Sequence, residues 1–364
     1  PGHQRQPHGG PDMIFATRPP CQIRLPRAQA GLTLIELMVA MVISLVIVLA
    51  ATAALLISRQ GFTSVDAASQ LRDSARFAQD VLQRLGVQAG HRDIDFVATA
   101  APPPTKGVVT VESNVFGFNN RARDGTHAWS EAESAQRTAS SLGYGSDILV
   151  LRFQPTGFYP TVPGAALTAS SEMTDGGMID CSGNTPEDRN TSYADRIASV
   201  LHVATSSDGE PALMCTRWSD AGTIETQPLI KGVENFQVLY GVDGIGPANA
   251  VLPASNTADS VVDRYLRADQ LTVSDPIVTT GNWQRVRSIR IGMVLRGPPG
   301  SAVDNTAQTY YPLGTAKASG SGAVGSMFAD ATNDPGTEFK PSADGRLRHV
   351  VTFTIHLRNP QGDD

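Results

Sequence analysis

The chain has 364 residues with 6% aromatics and a formal net charge of -6, enough for at least one sizeable core and the wrong bulk sign for a partner of polyanions. No His-Glu-x-x-His, Cys-x-x-Cys, Gly-x-Ser-x-Gly or phosphate-loop pattern occurs, and the seven histidines are scattered. That composition points away from an enzyme and from a metal or cofactor site.

Residues 1–31 read as a basic leader, with Arg5, Arg18, Arg24 and Arg27 against Asp12. Pro1 is no translational start, and Met13 would open a 19-residue leader with three arginines and no acid, placing residues 1–12 upstream of it. By the positive-inside rule this end faces the cytoplasm, and in a bacterium the long C-terminal part lies in the periplasm or beyond. From Leu37 to Ile57 there are 21 uncharged residues, about 31 Å of helix against a hydrocarbon core of roughly 30 Å. One acid, Glu36, enters with them, at a cost of roughly 2.5 to 3.5 kcal/mol deep in the core and less near an interface. Thr33 and Glu36 also have capping-box spacing, so the carboxylate has a local use at the helix start. A cleaved secretory signal ending at Ala51 to Ala53 is the alternative, but its apolar region would be overlong and would contain Glu36.

The helical period continues beyond the apolar run. Leu71, Ala75, Ala78, Leu82 and Leu85 share one face while Arg72, Asp73, Arg76, Gln79, Asp80 and Gln83 fall largely on the other. No proline occurs between Leu32 and Ala101, so an unbroken helix over 32–85 would be about 80 Å long. Residues 32–57 then form the transmembrane segment and 58–85 its amphipathic continuation. Gly86 and Gly90 offer stops.

In residues 86–364 strands dominate: Val108 to Val111, Asp147 to Phe153, Ala198 to Thr205, Pro211 to Trp218, Glu234 to Gly241, Arg285 to Leu295 and Leu347 to Leu357. The last alternates Leu347, Val351, Phe353, Ile355 and Leu357 with Arg348, Thr352, Thr354, His356 and Arg358, which predicts one buried and one wet face. Ile289, Ile291, Met293 and Leu295 alternate similarly with Ser288, Arg290 and Arg296, so two basic strand faces are expected. The apolar stripe of Leu71 to Leu85 needs a sheet, and the sheet needs a cover. An α+β fold follows, a long N-terminal helix packed on an antiparallel β-sheet head with long loop insertions. The largest insertion, 297–345, reads as a surface loop; Gly320 to Gly325 within it is formally G-x-G-x-x-G without the strand and helix a nucleotide site needs, and Thr309 to Leu313 reads as a small local strand.

Gly31-Leu-Thr-Leu-Ile-Glu-Leu37 resembles the processing motif of type IV prepilins and type II secretion pseudopilins. The resemblance implies cleavage between Gly31 and Leu32 by a prepilin peptidase, N-methylation of Leu32, and pairing of Glu36 with the amine of an adjacent subunit during assembly. Ile230 to Asp243, Asp263 to Asp269, Trp283 to Arg296 and Arg346 to Asn359 are similar in order and spacing to blocks of the PilW minor pilin family. It covers the helix and most of the chain after Gly143, while 119–142 and 298–345 match nothing in it. The helix-kinking proline common in major pilins is lacking. The implied function is that of a minor pilin in pilus initiation or the tip complex, held in the inner membrane with a periplasmic head. The implied partners are other minor pilins, the major pilin, the inner-membrane assembly platform and a large tip adhesin. A minor pseudopilin of a type II secretion system is the nearest alternative, and a non-assembling membrane-anchored binding protein or hydrolase the one from another class.

Loss of 1–31 removes four arginines and one aspartate, leaving 25 basic and 34 acidic side chains, net -9. Nucleic acid would need a basic patch, and only Arg285, Arg287, Arg290, Arg346, Arg348 and Arg358 offer one, more simply read as a solvated face or subunit contact. Cys21 leaves with the leader. Cys181 and Cys215 remain, and two cysteines in an oxidising compartment predict one disulfide, although two separate buried thiols are the alternative. Asp243, Asp259, Asp263 and Asp269 form a loose acidic series without the spacing of a calcium loop.

Overall fold

The computed structural model of the protein describes residues 31–93, 113–123, 134–158, 173–186, 196–218, 223–244, 259–315, 334–359 and 361. Residues 1–30 of the leader with Cys21, the expected strand at Val108 to Val111 and the Gly320 to Gly325 segment lie outside these residues. The chain divides into two units, 1–57 and 58–364.

One helix, α1 (Leu34–Gln88), contributes to both. In the first unit its apolar side chains are exposed throughout. In the second its buried residues are Ala67, Leu71, Ala75, Ala78, Leu82, Leu85, Gly86 and Gln88. The helix therefore ends three residues later than the periodicity suggests. Gly86 sits inside it because a Cβ there would lie 2.7 Å from Ile355 Cγ2. The real stop is Gly90, at φ 81°, whose N–H donates to the Arg152 carbonyl at 2.9 Å. Asn359 Nδ2 donates to the carbonyls of Val87 and Ala89 at 3.3 and 3.1 Å, satisfying acceptors that a helix end leaves open.

The head continues through β1 (Val115–Phe118), β2 (Arg121–Arg123), β3 (Ser134–Gln136), β4 (Ile148–Phe153), β5 (Gly157–Phe158), β6 (Met173–Thr174), β7 (Ile197–Thr205), β8 (Pro211–Trp218), β9 (Ile224–Lys231), β10 (Val233–Val242), β11 (Arg264–Leu266), α2 (Ala268–Leu271), α3 (Pro276–Gln284), β12 (Val286–Arg296) and β13 (Arg348–His356). A five-stranded sheet has the order β1-β4-β7-β8-β9, and a four-stranded sheet the order β11-β10-β12-β13. Every pairing in both is antiparallel. β2 with β3 and β5 with β6 make two small ribbons.

Gly232 carries the chain from the last strand of one sheet into the other. It stands at φ 82°, donates its N–H to the Pro211 carbonyl at 2.8 Å and accepts from the Arg296 N–H at 2.7 Å. A second junction is Asp147, whose Oδ1 accepts from the Asn120 N–H at 2.8 Å and whose Oδ2 accepts from the Val238 N–H at 2.7 Å. One carboxylate thus ties the start of β4 to the centre of β10. Burial pushes its titration well above the usual aspartate range, against the pull of these two backbone donors.

The stripe of α1 shares one core with the inner faces of both sheets: Leu71, Leu82 and Leu85 join Val150, Leu201 and Leu213 of the larger sheet and Phe236, Ile291 and Ile355 of the smaller. Tyr240 packs edge-on against Trp283 of α3 with ring centroids 4.6 Å apart. The expectation of a wet second face on β12 is corrected. β10 is buried at all ten positions and β12 alternates little, because part of the 297–345 insertion returns across that face. A Cβ on Gly292 would lie 2.4 Å from the Pro312 carbonyl oxygen, Thr352 Oγ1 donates to that carbonyl at 2.6 Å, and Leu313 packs with Leu239 and Tyr265. A bridge between Tyr310 and Phe339 pins the returning segment. The described part of the insertion is therefore a cover for the sheet.

Candidate functional site

The first turn of α1 is built locally. Leu37 N–H donates to the Thr33 carbonyl at 3.2 Å, and Thr33 Oγ1 accepts from the Glu36 N–H at 3.3 Å. Glu36 Oε2 accepts from both the backbone N–H and the hydroxyl of Thr33, each at 3.0 Å. The cap is reciprocal and engages Oε2, leaving Oε1 without a partner among the described residues. A carboxylate held by two donors costs less to bring into an apolar medium than a bare one. Gly31, just before this turn, has no atom of the described residues within 4 Å of where a Cβ would stand. Nothing among the described residues requires glycine there.

Beyond Glu36 the helix satisfies its own polar groups. Ser44 Oγ donates to the Ala40 carbonyl at 2.7 Å, and Thr52 Oγ1 to that of Val48 at 3.0 Å. With no charge from Leu37 to Ile57 and every backbone bond internal, this is one helix long and apolar enough to cross a membrane. Its large side chains, from Leu34 through Ile57, are exposed, an apolar surface far beyond what water tolerates on one element. In the second unit Phe62 and Val65, 75% and 72% exposed, with Phe77, extend an apolar character along the face turned away from the buried stripe.

Away from the helix, charged side chains gather where β10, β12 and β13 end. Arg296 Nη2 reaches Glu210 at 2.7 Å and its Nη1 reaches Glu234 at 3.0 Å. Arg346 pairs with Glu210 at 2.9 Å; Arg348 pairs with Glu234 at 2.6 Å and with Asp344 at 2.8 Å. Three arginines meet three acids in one connected network. Its Arg346 hydrogen bonds hold Glu210 below the usual carboxylate range. Burial works against the charge on Arg348, but Glu234 and Asp344 outweigh it and raise its titration. Arg287 lies 3.6 Å from Asp243. The basic strand faces are thus largely drawn into ion pairs rather than set out as a phosphate track, and the acids responsible were invisible because Glu210 is 136 residues from Arg346.

Cys181 and Cys215 are joined in a disulfide with Cα atoms 5.7 Å apart, fixing the segment after β6 to β8. The acidic series is separated and occupied. Asp243 Oδ2 accepts from the Ser260 N–H at 2.9 Å, Asp263 Oδ2 from the Gly244 N–H at 2.7 Å, and Asp269 holds Arg267 at 2.8 Å. Among the described residues no group of three or more His, Cys, Asp or Glu side chains is placed to hold a metal.

Two family profiles match this chain. One, described as Type IV Pilus-assembly protein W, matches residues 200–359, which takes in β8 to β13 and Asn359. The other, the prokaryotic N-terminal methylation motif, matches residues 26–52, which takes in Gly31, Thr33 and Glu36. None of the curated proteins matches it. Among solved structures it is similar to a type IV-like pilin from Thermus thermophilus, at 13% identity and a TM-score of 0.35, over 79% of this chain and 95% of the other.

Proposed function

This chain is a minor pilin of the type IV pilus, of the PilW family, and from that premise we propose how it enters the fibre. Prepilin peptidase cuts between Gly31 and Leu32 and methylates the new amine of Leu32, so Glu36 becomes the fifth residue of the mature chain. The observation that carries this reading is the six-residue stretch itself. A glycine with no internal reason to be glycine precedes a reciprocal cap whose acid heads an otherwise uncharged span. A requirement that the fold does not impose fits an outside reader, and the active site of a peptidase that needs close backbone approach is such a reader.

The mechanism is an exchange of partners for one carboxylate. In the single chain Thr33 supplies the donors. When the helix leaves lipid for a bundle of equivalent helices, one low-dielectric setting replaces another and little hydrophobic free energy changes hands. Glu36 then pairs with the amine of a neighbouring subunit. An unpaired charge there would be costly, so the pairing sets axial register. The head, rigid through its two sheets and disulfide, meets the other minor pilins, the major pilin, the inner-membrane platform and a large tip adhesin, with the chain first in the inner membrane and later at the pilus tip. Its role is structural rather than catalytic.

Expression with and without prepilin peptidase, followed by mass spectrometry of the N-terminus, tests the proposal. N-methylated Leu32 is expected only with the peptidase. An intact N-terminus in its presence, or a cut after Ala53, refutes it. Loss of pili rather than of secretion on deletion separates the pilus from a type II secretion system.

A further inference from the structure

A cavity of about 460 Å³ opens on the head beside the β1–β2 turn, within the roughly 300–1,000 Å³ range of small-molecule sites. It is lined by Phe118 to Arg121, by Gln136 of β3, by Arg267 to Asp269 and Thr272 around α2, and by Pro335.

The walls are fixed before any ligand arrives. Asn120, at φ 49°, is held by Asp147 through its N–H, and its side chain donates to the Arg137 carbonyl at 3.2 Å and accepts from the Gly145 N–H at 2.9 Å. Asn119 Nδ2 donates to Asp334 at 3.1 Å. Arg267 grips Asp269 with two parallel hydrogen bonds of 2.8 and 2.9 Å and lies 3.7 Å from Asp334. A site assembled this way does not spend binding energy on ordering itself.

Its chemistry selects against ions. The guanidiniums of Arg121 and Arg267 are matched in number by the carboxylates of Asp269 and Asp334, and Arg121 Nη1 also donates to the Ser134 carbonyl at 3.0 Å, so neither an anion nor a cation finds a net opposite charge there. Beside these charged groups stand neutral groups and spare lone pairs. The Gln136 amide is exposed with no partner among the described residues, offering two donors and an acceptor. Thr272 Oγ1 accepts from Trp283 Nε1 at 3.3 Å, which leaves its hydrogen free to donate. The half-exposed Asp269 carboxylate keeps acceptor positions beside the Arg267 fork. Donors and acceptors together in a polar hollow of this size suit vicinal hydroxyls, each of which both gives and takes a hydrogen bond. We propose that this cavity binds a neutral saccharide of about disaccharide size, recognised through Gln136, Thr272 and Asp269.

The test uses the full chain in a detergent without a sugar headgroup, titrated calorimetrically with lactose, cellobiose and chitobiose as probes. At least one is expected to bind saturably, with an affinity that changes little between about 50 and 500 mM salt, since no ion pair forms with the ligand. Gln136→Ala should weaken it about tenfold or more while leaving the thermal transition in place, because Gln136 is exposed; Thr272→Val should weaken it similarly and also lower the transition, because it removes the acceptor of the buried Trp283 Nε1. No saturable binding of any probe overturns the proposal. So does binding that falls steeply with salt, or binding that survives the Gln136→Ala, Thr272→Val double variant.

Discussion

Gly232 is the sharpest place to test the joint between the two sheets. An alanine there meets two separate penalties. The left-handed backbone at φ 82° costs an L-residue roughly 1–2 kcal/mol, offset in part by about 0.4–1 kcal/mol of lost unfolded-state entropy. In addition its Cβ would stand 2.6 Å from the Arg296 carbonyl oxygen, a backbone atom that cannot rotate aside. Relief requires the chain to shift, and the shift strains the hydrogen bonds to Pro211 and from Arg296, worth about 1 kcal/mol each. The expected loss is about 2–4 kcal/mol. Gly209 supplies the control: it has nearly the same φ, 83°, with no atom within 4 Å of a Cβ, so Gly209→Ala should cost only about 0.5–1 kcal/mol. Urea unfolding of the full chain in micelles, followed by the emission of its tryptophans, measures both. If Gly232→Ala costs no more than Gly209→Ala, close approach at the joint is not what glycine serves there, and the reasoning fails.

Three further outcomes are expected. Replacing both Cys181 and Cys215 by alanine should remove about 3–4 kcal/mol in the chain-entropy treatment of a crosslink spanning 34 positions, checked by urea midpoint after peptide mapping has confirmed the bond in the parent. Burial pushes the His202 imidazole down to about 3, so the folded state keeps it neutral. The unfolded chain takes up a proton below about 6.5, and stability, fully present above that pH, should fall by up to about 1.4 kcal/mol per unit on acidification toward 3. His202→Gln should flatten that part of the pH profile, and an unchanged slope would sink the assignment. Glu36→Ala should leave cleavage after Gly31 largely intact on an immunoblot while pili sheared from cells lack the protein; normal incorporation would remove the charge-pairing step from the mechanism.

Local chemistry was legible in the sequence and distant chemistry was not. The turn from Gly31 to Glu36 and the stripe of α1 can be read because their partners lie within a few residues or repeat with the helical period. β8, β10 and β13 announce themselves by β-branched and aromatic runs between turn residues. β1 escaped because four residues with Gly117 in their midst make too short a run. β9 escaped because, as an edge strand, it carries Glu225, Gln227 and Pro228 with little burial. α3 could have been found, since Asp275 caps it through the N–H of Ile277 at 2.9 Å and Pro276 opens it, the N-terminal signature of a helix. The arginine network and the cavity depend on residues more than a hundred positions apart, and the covered second face of β12 on loop residues 20 to 74 positions from the sheet residues they meet. No period or spacing encodes them.

Asn359, which caps α1 from 270 to 272 residues away, has a consequence for the order of events during synthesis. The helix emerges first and the strand that completes its bed, β13, emerges last, so the stripe from Leu71 to Leu85 stays uncovered on its β13 side while nearly all the intervening chain is made. Closing so long a loop is slow compared with local strand pairing. Synthesis therefore presents an interval in which the larger sheet can already pair while the helix still lacks Ile355 and its cap. A chain cut short before β13 would be left in that state permanently, a ready substrate for proteases rather than a shorter but working subunit.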